Sequence, residues 1–180
     1  MMKAPVRFET LIERHHDEIY RYLWRLLRSA GRSDGAVEAQ DITQEVFLRA
    51  YRAFGRLRRD SNHRAWLYKI ATHCAYTALK RDQRQTRRTV PWLDEIHHSL
   101  ADEGLLPDQQ ALLNERLEMV RREIAALPSK QQAAVVLRHV QGLDYAAIAQ
   151  ALECSQESAR ANVYQGLRRL RRVLAEELDE

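Results

Sequence analysis

The sequence predicts an all-α protein of two small helical domains, and three observations carry that prediction. Apolar residues recur at helical spacing through both ends of the chain. Glycine and proline are scarce, 6 and 4 among 180 residues, which disfavours a fold of many short strands. The periodicity fades only between about Gln85 and Leu106, a stretch too long for an ordinary connection inside one domain. We therefore read residues 1–84 as one module, 85–106 as a flexible linker and 107–180 as a second module.

In the first module, Phe8, Leu11, Ile12, His15, Ile19, Tyr22, Leu23 and Leu26 form one helical stripe. The glycines of "SAGRSDGA" break it. A second helix is expected over 37–54, with Ile42, Val46, Ala50 and Ala53 inward and Phe47, Tyr51 and Phe54 widening the stripe. After the basic joint "GRLRRDSNH", a third is expected over 64–84, with Trp66, Leu67, Ile70, Ala71, Cys74 and Ala78 inward. Three helices with short joints make a bundle. The linker carries Pro91, with Pro107 just after it, a glycine and the acids Asp94, Glu95, Asp102 and Glu103, which should keep it extended and solvated.

In the second module, Asp108 is the expected cap of a helix ending near Ala126. Ser129 with Gln132 reads as a capping box for the next, ending at Gly142. Asp144 caps the short helix "YAAIAQAL", and Ser155 caps a long terminal helix. A short helix, a tight turn and a longer helix make a helix-turn-helix. Ala159, Val163, Leu167 and Leu170 face inward, leaving Glu157, Arg160, Ala161, Tyr164, Gln165 and Arg168 outward. In such a motif the first turns of the second helix enter the major groove. Small residues admit the backbone, Arg160 suits a guanine edge and Gln165 an adenine edge. The later arginines suit phosphates.

Composition narrows the function. Apolar residues at 45% can build a core, and a net charge of +4 is too modest to mark a nucleic-acid binder by itself. Cys74 and Cys154 have no CxxC partner, which leaves no disulfide framework or zinc site. His15-His16 and His97-His98 lack metal-binding spacing. No glycine-rich phosphate loop or nucleophile elbow is present. We expect no metal, no cofactor and no catalytic residues. The chain has no signal-peptide core and no run near the ~18 apolar residues that span a bilayer, so a cytoplasmic protein without membrane insertion is expected.

Three segments, "DITQEVFLRAYRAF" (41–54), "RAWLYKIATHCAYTALKR" (64–81) and "LPSKQQAAVVLRHVQGLDYAAIAQALECSQESARANVYQGLRRLR" (127–171), resemble in order the signature segments of extracytoplasmic-function sigma factors. These are promoter-specificity subunits of bacterial RNA polymerase. The resemblance makes the first module sigma region 2 and the second region 4. It implies core-polymerase docking through Asp41, Gln44, Glu45 and Arg49, and capture of a single-stranded −10 element by Arg58, Arg59, Arg64, His73, Tyr76, Lys80, Arg81 and Arg84. It implies −35 recognition by Arg160, Ala161, Tyr164 and Gln165, with Arg168 on phosphate. Partners implied are core polymerase, promoter DNA and an anti-sigma factor. Three positions depart from the family pattern: His73 where asparagine is common, Ala161 where many have a hydroxyl residue, and Asn162 where a second basic residue is usual. The rival reading is a stand-alone helix-turn-helix regulator, with the first bundle as a sensor or dimerisation domain.

Overall fold

The computed structural model describes residues 7–28, 35–58, 60–86 and 107–178. Every regular element among them is helical: α1 (Phe8–Arg28), α2 (Gly35–Phe54), α3 (His63–Thr86), α4 (Pro107–Ala125), α5 (Ser129–Val135), α6 (Tyr145–Leu152) and α7 (Gln156–Leu178). A π-helical turn, Val136–Val140, continues α5. The linker positions 87–106, with their acids and His97-His98, lie outside the described residues.

α1, α2 and α3 pack on one another around Leu11, Ile19, Tyr22, Leu23, Leu26, Val46, Ala50 and Leu67, all buried. Two polar groups enter this core satisfied. Thr43 donates its hydroxyl to the Ala39 carbonyl at 2.6 Å. Thr72 donates to the Tyr68 carbonyl at 2.7 Å, so the fully buried Tyr22 hydroxyl, 2.7 Å away, is left as the donor to Thr72 Oγ1. Asn62 starts α3 by accepting the Ala65 amide at 3.0 Å, which settles one of the orphan N–H groups of the first turn. Tyr51 departs from the expected inner stripe: its ring edge meets Phe8, but the side chain faces out.

In the second half, α7 packs on α4, α5 and α6. Asp144 caps α6 through the Ala147 amide at 2.7 Å, and Ser155 caps α7 through the Ser158 amide at 3.1 Å, as expected. The capping box at Ser129 does not form. Pro128 holds the N-cap position with extended backbone, and Ser129 is already helical without a side-chain bond to the end of the helix. The proline ring sets the entry angle without help from a hydroxyl. Gly142 turns the chain at φ +68°, and Glu153 closes α6 in the left-handed region at φ 51°.

Gly166 settles how closely α7 approaches α5. A Cβ there would lie 2.7 Å from Val135 Cγ2, so only glycine fits the seam.

The two halves are not held apart. α3 packs against α6, and one buried cluster runs from Phe8 to Val163 through both. The reason lies in α3. Ala65, Leu67, Tyr68, Ala71, Thr72, Cys74 and Ala75 are buried, and at 100° per residue they cover about half of the helix circumference. That is more than α1 and α2 need, so α3 has apolar surface left for a second partner.

Candidate nucleic-acid interface

Two exposed basic surfaces result, one on each half. On α7, Arg160, Ala161, Tyr164, Gln165 and Arg168 all face solvent, and Tyr164 is 64% exposed despite its ring. They share a side because the buried residues Ala159, Val163, Gly166 and Leu170 occupy the other. Gln156, Glu157, Arg160, Ala161 and Tyr164 line an open depression of about 390 Å³ at the start of the helix. Gln131, Gln165, Arg168, Arg169 and Arg172 line a second, of about 490 Å³, further along. Arg160, Ala161 and Tyr164 thus share the first depression, and Gln165 shares the second with the later cations.

Electrostatics within the first depression are mixed. The Glu157 carboxyl is held below its ordinary range, first by its own backbone N–H, then by Ser155 and by the charge of Arg160. Gln165 accepts the Gln131 amide at 3.0 Å, which uses one lone pair of its carbonyl oxygen and leaves the other, and the NH2 group, available.

The basic face of α3 is arranged otherwise. His73, Lys80 and Arg81 are exposed. Arg58 pairs with Asp60 at 3.3 Å on the surface. Arg59 lies outside the described residues, and Arg84 falls in the last turns of α3. Arg64 and Tyr76 are engaged by the second half. Arg64 donates to the Gln141 carbonyl at 2.7 Å and pairs with Glu18 at 2.9 Å. Tyr76 donates to the Ser129 carbonyl at 2.6 Å, and burial pushes its phenol up. Tyr68 donates to the Gln141 side chain at 3.0 Å, and Lys69 pairs with Glu153 at 2.8 Å. Burial alone would raise the Glu18 carboxyl, but hydrogen bonds from His15 and Arg64 and the Arg64 charge together hold it below its ordinary value.

The remaining candidates sit on α2. Asp41, Gln44 and Arg49 are exposed, Glu45 is half-exposed, and Arg49 donates to Glu45 at 2.5 Å. Sequence reasoning missed their apolar neighbours. Val37, Leu48 and Tyr51 are 65%, 52% and 66% exposed, and with Asp41 and Gln44 they step along α2 at spacings of four and three. That spacing is a seam for another helix. It was readable in the sequence, but Tyr51 had been counted toward the core. As for the histidines, His15 pairs with Glu18, and His16 stacks on Phe47 beside Asp17. Among the described residues no group of three or more His, Cys, Asp or Glu could hold a metal, and no helix is long and apolar enough to cross a membrane.

Residues 11–85 match the family model of sigma-70 region 2, and residues 117–170 match that of sigma-70 region 4. The chain is 32% identical over 163 residues to the RNA polymerase sigma-H factor of Pseudomonas aeruginosa, covering 87% of this chain and 80% of that one. It is 26% identical over 174 residues to the ECF RNA polymerase sigma factor SigX of Bacillus subtilis, covering 95% and 87%. Its fold superposes on the sigma factor RpoE of Bartonella quintana, solved in complex with the anti-sigma factor NepR, with a TM-score of 0.71 at 18% identity over 93% of this chain and 96% of that one.

Proposed function

The chain belongs to the extracytoplasmic-function sigma factors of RNA polymerase, and from that premise we propose how its surfaces divide promoter recognition. α7 enters the major groove of the −35 element, with Arg160, Ala161, Tyr164 and Gln165 at base edges and Arg168 on phosphate. α3 and the joint before it hold the unpaired −10 strand. Arg58, Arg59, Arg64, Lys80, Arg81 and Arg84 supply charge for its backbone, and His73 and Tyr76 contact its bases. The exposed seam of α2 docks on core polymerase through Asp41, Gln44, Glu45 and Arg49, and Val37, Leu48 and Tyr51 add apolar area. The observation that carries this reading is the capped, solvent-facing start of α7 with base-reading groups ahead of phosphate-binding ones.

The protein acts in this reading as a specificity subunit, without a reaction of its own, in the cytoplasm where core polymerase and DNA meet. Control by an anti-sigma partner belongs to the proposal, since such a partner is bound in the RpoE structure whose fold this chain shares. Domain limits of 1–84 for region 2 and 107–180 for region 4, with 85–106 between, go with the same assignment.

Reconstitution tests it. Core polymerase supplied with this chain should start transcription at promoters with paired −35 and −10 elements drawn from a genomic library. Tight duplex binding by the free chain, equal with and without core, would instead support the stand-alone regulator.

A further inference from the structure

Arg160 is held by a ring rather than by a hydrogen bond. Its guanidinium carbon lies 5.2 Å from the centroid of Tyr145, the first residue of α6. The guanidinium takes part in no hydrogen bond or ion pair among the described residues. The same ring carries a second guanidinium. Arg138 Cζ lies 4.8 Å from its centroid, and Arg138 is anchored by donating to the Leu143 carbonyl at 2.9 Å. Tyr145 is half-buried at the N-terminus of α6, next to the Asp144 cap. Its backbone is therefore fixed by the capped first turn of α6.

We propose that Tyr145 is a positioning residue for promoter recognition: its ring aligns the Arg160 guanidinium, so that the fork meets a −35 base edge already oriented. The inference rests on the assignment of Arg160 to that base edge. Three physical points support it. Arginine loses rotamer freedom when it binds, and a ring that already restricts it lowers that cost. A contact with a ring uses no carboxylate or carbonyl acceptor, so it leaves the guanidinium unpaired with any anion, which a salt bridge would not. The negative ring face also lets Arg138 and Arg160 share one site despite their like charges. The pair then faces DNA as a doubly cationic patch.

The test uses the full chain in reconstituted holoenzyme and a promoter set carrying each base at each −35 position. Tyr145→Leu should reduce discrimination about three- to tenfold at the one position that Arg160→Ala also relaxes, and should add little in the Arg160→Ala background. Tyr145→Phe, which keeps the ring, should restore discrimination. Thermal unfolding of each variant separates loss of fold from loss of alignment. If Tyr145→Leu weakens every template alike, and additively with Arg160→Ala, the ring is only packing or a phosphate contact and the proposal falls. If Arg160→Ala relaxes no position at all, Arg160 does not read a base, and that result overturns the underlying assignment rather than the ring's role alone.

Discussion

The two surfaces proposed to meet DNA differ in what holds them. The α7 surface is built inside one half. Ser155 caps its helix, Tyr145 carries Arg160, and all five −35 candidates face solvent. The α3 surface is shared between halves. Arg64 and Tyr76 hydrogen-bond to backbone carbonyls of Gln141 and Ser129, and Lys69 pairs with Glu153. One surface is ready as it stands, and the other becomes fully available only when the halves part. The polar ties between them are worth about 2–5 kcal/mol together, before apolar burial is counted. Reversing a two-state equilibrium from 1:99 to 99:1 takes ~5.5 kcal/mol of differential binding, a scale that docking on a large partner can supply. If α3 holds the −10 strand as proposed, docking that parts the halves would also free Arg64 and Tyr76.

The largest expected effect lies on the ready surface. Arg160→Ala should cost about 1–3 kcal/mol at one −35 base, whereas Arg168→Ala should weaken all templates alike and flatten the salt dependence. Transcription from −35 variants at two salt concentrations checks both. Equal loss on every template for Arg160→Ala would erase the distinction between reading and clamping groups.

Next comes the seam behind that surface. Gly166→Ala gains about 1 kcal/mol of helix propensity but sets a methyl 2.7 Å from Val135 Cγ2, an overpacking that costs about 1–3 kcal/mol. A net loss of up to about 2 kcal/mol is expected, seen as an unfolding temperature no higher than the parent's. A variant more stable than the parent would mean that Val135 yields to the methyl without strain.

The shared surface responds to a smaller change. Tyr76→Phe removes the bond to Ser129 and keeps a ring for stacking, so it should shift the halves toward separation by about 0.5–1.5 kcal/mol. Binding of a single-stranded −10 oligonucleotide to the free protein should rise by about two- to tenfold. Unchanged or weaker binding would show that the Tyr76 bond does not restrain access.

Acid should act on the same contact through Glu18. Its carboxyl is depressed in the folded chain, so the stability it contributes is complete above its ordinary value of 4.5 and is lost as pH falls through the lower folded value. Arg64 then loses its partner while still bound to Gln141. Glu18→Gln should flatten the acid limb of the unfolding profile, and an unaltered limb would remove Glu18 from the account. The smallest effect belongs to the exposed Lys69–Glu153 pair. Lys69→Met should change stability by no more than about 1 kcal/mol, measured by denaturant titration at low and high salt.

Much of this was legible along the chain because it rests on local rules. The spacing of Leu11, Ile19, Tyr22 and Leu26 makes a helix face, and Asp144 and Ser155 announce helix starts, in any context. The outward set on α7 follows from the same periodicity. Ser129 shows where local rules fail, since Pro128 takes the N-cap position and no side chain caps the helix there. Tyr51 and Leu48 show it too, because an apolar residue on a helix does not say whether it faces its own core or an absent partner.

The sequence by itself determined the helices, their order and which side chains of α7 face outward, because each depends on neighbours within about one helical turn. Only the tertiary structure decided that α3 serves two cores, that Gly166 admits α5, and that Tyr145 sits under both Arg138 and Arg160. Those contacts join residues distant in the chain, and short-range periodicity contains no information about which of two apolar faces will find which partner.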